Sequence, residues 1–353
     1  MSDRLVRFLN EEFQVDKRVS AFKRRKFYNA EVELTDGCCL SCNYCYVSSK
    51  KVNTHELKLE VAKKLINSLT DYGLRSFWWG GGEPFLNKYW REILAYAKEK
   101  GVKENLVFTS GVLLTKKTCR DLCNLADRVT VHLDTIQEST FRKMQINKSK
   151  SRELHASILR GIDNLLDAGF NNEMIRWNIT LTRTTLADLE NTLVYAIHKK
   201  RVRTIVLIPL FNCGRASKIY QKEKLSLNEL EYAFTLRADI EKRPFLLKLC
   251  PSEFCKQYQL TCFAINARGD VLPYVDCFTP VGNIYRENVC DILERNFNFL
   301  SFRKLVSQDT YKNLLHGKCN GCENERYCFG NPTMTLNNGG QLWDSDPYCW
   351  HNN

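Results

Sequence analysis

The sequence predicts an α/β protein built on a parallel sheet, because period-two apolar alternation and apolar recurrence at helical spacing take turns along its first two thirds. A second observation is the change of pattern near Lys248. Beyond it helical periodicity fades, Gly, Asn and Pro are frequent, and more than half of the 16 cysteines are found. A third is that no apolar run approaches the roughly 18 residues of a membrane-spanning helix.

Residues 30–35 (AEVELT) alternate apolar and polar as a strand does, and apolar residues return at helical spacing from Leu57 to Leu69. The unit then repeats. Strands are expected at 75–80, 104–109, 128–133, 176–181 and 203–210. Helices are expected at 88–98, 116–125, 138–144 with 152–168, 186–198 and 227–241. Such alternation implies right-handed crossovers between parallel strands. Six units fall short of the eight that close a barrel, which leaves a partial barrel or a doubly wound sheet. Both architectures bind ligands at the carboxyl ends of their strands, so the loops after the strands are where chemistry is expected.

Hydrophobic residues at 44% and charged residues at 26% exclude a disordered or fibrous class. The opening MSDRLVRFLNEEF has no apolar signal segment, so the protein is expected to be soluble and cytoplasmic, with no membrane contact. In that reducing compartment cysteines read as metal ligands or catalysts rather than disulfides. The formal charge of +12 treats every cysteine as neutral, and metal-bound thiolates would offset part of it. Basic runs at 17–26, 148–152 and 199–203 read as solvated surface, with an acidic or phosphorylated partner as the alternative.

Directly after the first strand, Cys38, Cys42 and Cys45 form a C-x3-C-x2-C array. Three thiolates on one loop can ligate three irons of a cubane and leave the fourth iron open to an exogenous ligand. A structural zinc site, the alternative, is normally closed by four protein ligands. Cys39 is a further thiol beside the first ligand, at a different spacing to Cys42.

With Tyr44 before Cys45, this array resembles the C-x3-C-x-aromatic-C signature of the radical S-adenosylmethionine (SAM) superfamily. Gly80-Gly-Gly-Glu-Pro-Phe85 resembles that family's G-G-E-P motif one strand later, and Thr109-Ser110-Gly111 its Thr-Asn-Gly. His132-Leu133-Asp134 stands where the family has Ser-Leu-Asp-Gly, with Thr135 in place of the glycine. Gly214-Arg215-Ala216 resembles a segment common in its SPASM members. The resemblance implies a partial (β/α)6 TIM-type radical SAM barrel followed by a small cysteine-rich SPASM-like module. It implies SAM and a [4Fe-4S] cluster at Cys38, Cys42 and Cys45 as cofactors. It assigns Tyr44 to the cofactor, Gly81, Gly82 and Glu83 to the SAM amino group, Thr109 and Ser110 to its ribose, and Asp134 and Arg142 to its carboxylate. Cys213, at the mouth, is either a reactive thiol or a small buried hydrophobe.

Cys319-x2-Cys322-x5-Cys328, followed by Cys349, resembles the second half of a SPASM domain, which carries auxiliary [4Fe-4S] clusters; a zinc ribbon on the same four ligands is the alternative. The chain departs from the pattern at Tyr274 and Pro332, where cysteines are usual. Cys255, Cys262 and Cys277 are candidates for another cluster, with Asp276 or Cys250 as fourth ligand; otherwise they are core thiols. One or two auxiliary clusters therefore stand open. Gly282-Asn283 resembles the turn between the two halves of the module, and Cys119, Cys123 and Cys290 are given no role. The catalytic group is unassigned, with Asp276 and Cys213 as candidates.

The expected domains are an N-terminal basic extension (1–28), a radical SAM core (29–246) and a SPASM-like auxiliary cluster domain (247–353). The implied activity is reductive cleavage of SAM and hydrogen abstraction from a peptide or protein side chain. Oxidation, epimerisation or coupling of a small molecule such as a sugar or nucleoside is the alternative. The expected partners are that substrate and an electron donor such as flavodoxin or ferredoxin. A reading from another class, a zinc-stabilised nucleic-acid-binding protein, leaves the strand-end loops unexplained.

Overall fold

The structure, a computed structural model, describes residues 3–52, 54–248, 256–273, 277, 279–296, 314–324, 328, 330–341 and 343–351. Its strands are β1 (Asn29–Thr35), β2 (Ser76–Gly81), β3 (Glu104–Thr109), β4 (Arg128–His132), β5 (Ile175–Leu181), β6 (Thr204–Pro209), β7 (Cys262–Ile265), β8 (Asp270–Leu272) and β9 (Gly282–Asn283). They form one sheet in the order β6-β5-β4-β3-β2-β1-β7-β8-β9. The first six are parallel, as the alternation requires.

The helices are α1 (Asp3–Phe13), α2 (Val15–Lys23), α3 (Leu59–Tyr72), α4 (Trp90–Glu99), α5 (Lys116–Cys123), α6 (Glu138–Lys143), α7 (Ser151–Asp167), α8 (Arg183–Leu186), α9 (Leu189–Val194), α10 (Tyr220–Glu223), α11 (Leu227–Glu241), α12 (Lys256–Thr261), α13 (Val289–Asn296) and α14 (Pro332–Asn337). Those between strands cover the outer face of the sheet through one apolar core that includes Ala30, Val32, Leu34, Phe77, Trp79 and Trp177. Trp79 resolves its own polar atom there, its Nε1 donating to Asn105 Oδ1 at 2.9 Å. The helix expected over 186–198 is broken into α8, α9 and a π segment at Tyr195–Lys199. A capping box, in which Thr182 and Thr185 satisfy each other's backbone N–H groups, starts α8 early, and Asp188 precedes a second start.

Residues 3–23 are no extension. Leu5, Leu9 and Phe13 of α1 are buried against Trp78, Leu106, Leu246 and Tyr258. Glu12 accepts from Arg176 Nη2 at 2.6 Å and from Thr204 Oγ1 at 2.9 Å, and lies 3.4 Å from Arg128. Since Arg128, Arg176 and Thr204 begin or nearly begin their strands, α1 closes the amino end of the barrel. Arg18 of α2, fully buried, donates to Phe13 O, Asn29 Oδ1 and Thr261 Oγ1, and ties both helices to the sheet.

The cysteine-rich region is not separate from the barrel either. β7 pairs in parallel with the free edge of β1, from Asn29↔Cys262 to Val32↔Ile265, and β8 and β9 continue the sheet antiparallel. Among the described residues no helix is long and apolar enough to cross a membrane.

Candidate active site

A cavity of about 300 Å³ runs through the barrel interior, from the loop after β1 at the carboxyl end to Phe8 and Phe13 of α1 at the other. Cys38, Cys42 and Cys45 line its mouth; Cys39 does not. The β1–β2 register shifts between Glu33 and Thr35, the last paired residue of β1 being Thr35 opposite Gly81, and the chain then enters this loop.

The loop is pinned from three sides. On one, Cys38 N–H donates to Lys50 O at 2.8 Å, and Asp36 accepts from His55 N and Nδ1 at 2.7 and 2.9 Å. On the second, Gln145 accepts from Ser41 N at 3.0 Å while its amide lies 3.4 Å from Cys42 Sγ, and Asn43 N–H donates to Met144 O. On the third, Arg215 donates through Nε to Cys42 O at 2.8 Å and through Nη1 to Ser49 O at 2.6 Å, while its N–H reaches Cys45 O at 3.0 Å. Among the described residues the remaining guanidinium nitrogen of Arg215 and Asn43 Oδ1, both buried, have no hydrogen-bond partner.

Burial raises the Cys38 thiol, with Glu83 adding to it, and pushes Cys42 up to about 12. Thiols so placed become thiolates when a cation joins them, which is the donor set a cluster takes. Among the described residues no three His, Cys, Asp or Glu side chains converge as one lone metal ion requires.

Gly81 and Gly82 line the cavity, and the packing of two loops explains why they are glycines. A Cβ on Gly81 would lie 2.2 Å from Thr35 O and one on Gly82 2.0 Å from Gly37 O. With Gly82 N–H on Thr35 O and Glu83 N–H on Gly37 O, the two loops form one unit. Glu83 is fully buried, accepting from Thr109 Oγ1 at 2.8 Å, Ser110 N at 3.0 Å and the Ser110 hydroxyl. Burial raises its pKa against those bonds. Thr109 and Ser110 thus hold Glu83 as well as lining the cavity.

The Tyr44 hydroxyl donates to Asp134, which also accepts from Thr180 N at 2.7 Å and lies 2.9 Å from His132 Nε2. Burial opposes a charge on His132, and Asp134 outweighs it, so its pKa rises. Tyr44, His132 and Thr180 face the cavity. Arg142 is exposed on α6, outside the cavity lining, so the structure does not bring it to the other expected SAM contacts. Cys213 is buried beside the mouth. The sequence offered no signal for Gln145; Arg215 was visible only as part of a Gly-Arg-Ala segment.

Cys319, Cys322, Cys328 and Cys349 line a second, smaller pocket. Asn324 Nδ2, Asp346 Oδ2 and His351 Nε2, from three residues of the same lining, are buried without partners among the described residues, and burial pushes Asp346 up to about 6. Unpaired donors and acceptors around four sulfurs are a set that a polar or metallic group fits. Cys262 sits within β7, facing the barrel cavity. Cys277 packs against the apolar cluster under α1. Cys250, Cys255 and Asp276 lie outside the described residues. None of the described cysteines is in a disulfide.

Residues 32–196 match the Radical SAM superfamily. Fe-coproporphyrin III synthase of Methanosarcina barkeri is 29% identical over 207 residues, 58% of this chain and 49% of that protein. A probable GTP 3',8-cyclase of Sulfurisphaera tokodaii is 26% identical over 215 residues, 61% of this chain and 66% of that protein. The chain thus spans about half to two thirds of these curated relatives. Streptococcus suis SuiB, solved with its precursor peptide SuiA, superimposes with a TM-score of 0.69 at 15% identity, over 95% of this chain and 79% of SuiB.

Proposed function

We propose, from the premise that residues 32–196 belong to the radical SAM superfamily, that this enzyme abstracts a hydrogen atom from a peptide or protein side chain admitted to the barrel cavity. The observation that carries the reading is the three-thiol loop of Cys38, Cys42 and Cys45 at the mouth of that cavity. When bound, the family's [4Fe-4S] cluster and SAM supply reductive cleavage of a sulfonium and a 5′-deoxyadenosyl radical.

The chain's own residues do the rest. Gln145 and Arg215 fix the loop on which the three thiols stand. Glu83, held by Thr109 and Ser110 directly behind the cavity lining, is assigned to the ammonium of SAM. Tyr44, oriented by Asp134, stands between the second and third cysteines and presents its ring to the cavity. α1 seals the opposite end, so substrate enters from the strand carboxyl ends. The pocket of Cys319, Cys322, Cys328 and Cys349 is assigned to an auxiliary cluster.

Sharing a fold with a protein captured on its precursor peptide supports a peptide substrate. A nucleotide or tetrapyrrole is the second reading, favoured by the names of the two curated relatives. Both are tested after anaerobic reconstitution, with dithionite and SAM, by 5′-deoxyadenosine formation. The enzyme is expected to form it and Cys42→Ala to abolish it; undiminished cleavage in that variant overturns the assignment. Stimulation by a peptide encoded beside the gene supports the first substrate reading, and stimulation by GTP or a coproporphyrin instead supports the second.

A further inference from the structure

Among the described residues no cation is hydrogen-bonded to Glu33, and the one positive charge that favours its ionised form is Arg268, outside the cavity lining. Barrel interiors are ordinarily filled by branched apolar side chains, yet Glu31 and Glu33 of β1 both turn inward and line the cavity. Glu31 is engaged by the Tyr258 hydroxyl, which donates to it. Glu33, two residues nearer the mouth, accepts from the backbone N–H of Ala267, at 3.0 Å to Oε2. Its register partner on β2 is Gly80, so no side chain of that position covers the carboxylate. Burial is the main reason its pKa is pushed up to about 7.

Positive charge is short at this end of the cavity. Among the described residues no lysine lines it, and its one arginine, Arg176, is bound to Glu12 at the amino end. An ionised carboxylate in such a place is unfavourable until a cation meets it. Tyr46, Trp78 and Phe108, which share the lining, present aromatic surface beside which a cation is tolerated.

We propose that Glu33 is a specificity-determining residue that anchors a cationic side chain of the substrate, an ammonium or guanidinium, inside the barrel. This deepens the function proposed above and rests on its claim that substrate enters the cavity. The carboxylate accepts charge-assisted hydrogen bonds from the cation, and the bound end of the side chain is thereby held below the cysteine loop.

The test is isothermal titration of the anaerobically reconstituted, SAM-loaded enzyme without reductant. The probes are N-acetyl-lysine amide and its neutral isostere N-acetyl-norleucine amide. The lysine probe is expected to bind, the norleucine probe to bind at least tenfold more weakly, and Glu33→Gln to weaken the lysine probe by about thirtyfold or more. Glu33→Asp, which keeps the charge on a shorter stem, is expected to fall between. It serves as the test if the glutamine variant fails to give a wild-type melting curve. Equal binding of the two probes, wild-type affinity in the variants, or no binding of the lysine probe to the wild type overturns the proposal. Failure of the underlying reading is seen separately, as absence of 5′-deoxyadenosine from the unmodified enzyme under turnover.

Discussion

Arg215 lies outside the three-cysteine array and is expected to decide how long that array keeps its metal. Its Nε and Nη1 donate to Cys42 O and Ser49 O at 2.8 and 2.6 Å, on either side of Cys45. Hydrogen bonds from a charged group contribute about 1.5–3 kcal/mol each, so the pair contributes about 3–6 kcal/mol in a dry setting. Arg215 is half-buried, and water can replace part of this, which leaves about 2–3 kcal/mol for the anchoring of the loop. At 1.4 kcal/mol per decade, Arg215→Met should raise the open fraction of the loop by about thirty- to a hundredfold. The assay is iron release to a chelator from the reconstituted protein, followed by absorbance, with the Cys38, Cys42 and Cys45 triple alanine variant subtracted to remove any C-terminal cluster. Release should accelerate by about that factor, while Arg215→Lys, which can keep one bond, falls between. Wild-type release from Arg215→Met, with an unchanged melting temperature, would refute the anchoring role.

Further outcomes are expected elsewhere. Glu33 holds its proton up to about 7 in the folded protein against an ordinary 4.5. It therefore favours the fold below about 4.5, and that contribution fades as pH rises through about 7, by on the order of 3 kcal/mol. Denaturant midpoints of wild type and Glu33→Gln should diverge over that window, and parallel curves contradict it. Glu12→Gln leaves Arg176, whose side chain is 6% exposed, without its countercharge; a loss of about 3 kcal/mol or more should appear as a clear drop in melting temperature. After reconstitution, the triple alanine variant should keep about four irons per chain at Cys319, Cys322, Cys328 and Cys349. Stoichiometric zinc there instead would make that pocket a zinc ribbon.

The barrel is legible because short apolar strand segments and longer helical segments take turns along the chain; 104–109 is β3 to the residue. Other parts were obscured by competing signals. At α1 the signal is present and composition outweighs it: Leu5, Leu9 and Phe13 recur four residues apart and form the buried side, while the neighbouring basic run suggests an extension. β7 was hidden by its cysteine, since the apolar run from Cys262 to Ile265 sits in a region dominated by metal-site spacing. In AEVELT the alternation is plain, but alternation does not say which face is wet. Ala30, Val32 and Leu34 pack under the helices, whereas the glutamates turn into the barrel. The cysteine loop is legible because its three thiols lie close together in the sequence. Its supports at Gln145 and Arg215 come from loops after β4 and β6, and only tertiary structure brings them together.

The seam between β1 and β7 has a practical corollary. A truncated protein ending near residue 246 would keep every segment of the matched family yet strip the hydrogen-bonding partner from an inner strand, exposing the backbone of Asn29–Val32. A bare, apolar parallel edge invites self-association. Isolated core fragments should therefore precipitate or oligomerise, and the tail is better regarded as the barrel's own margin than as a detachable accessory.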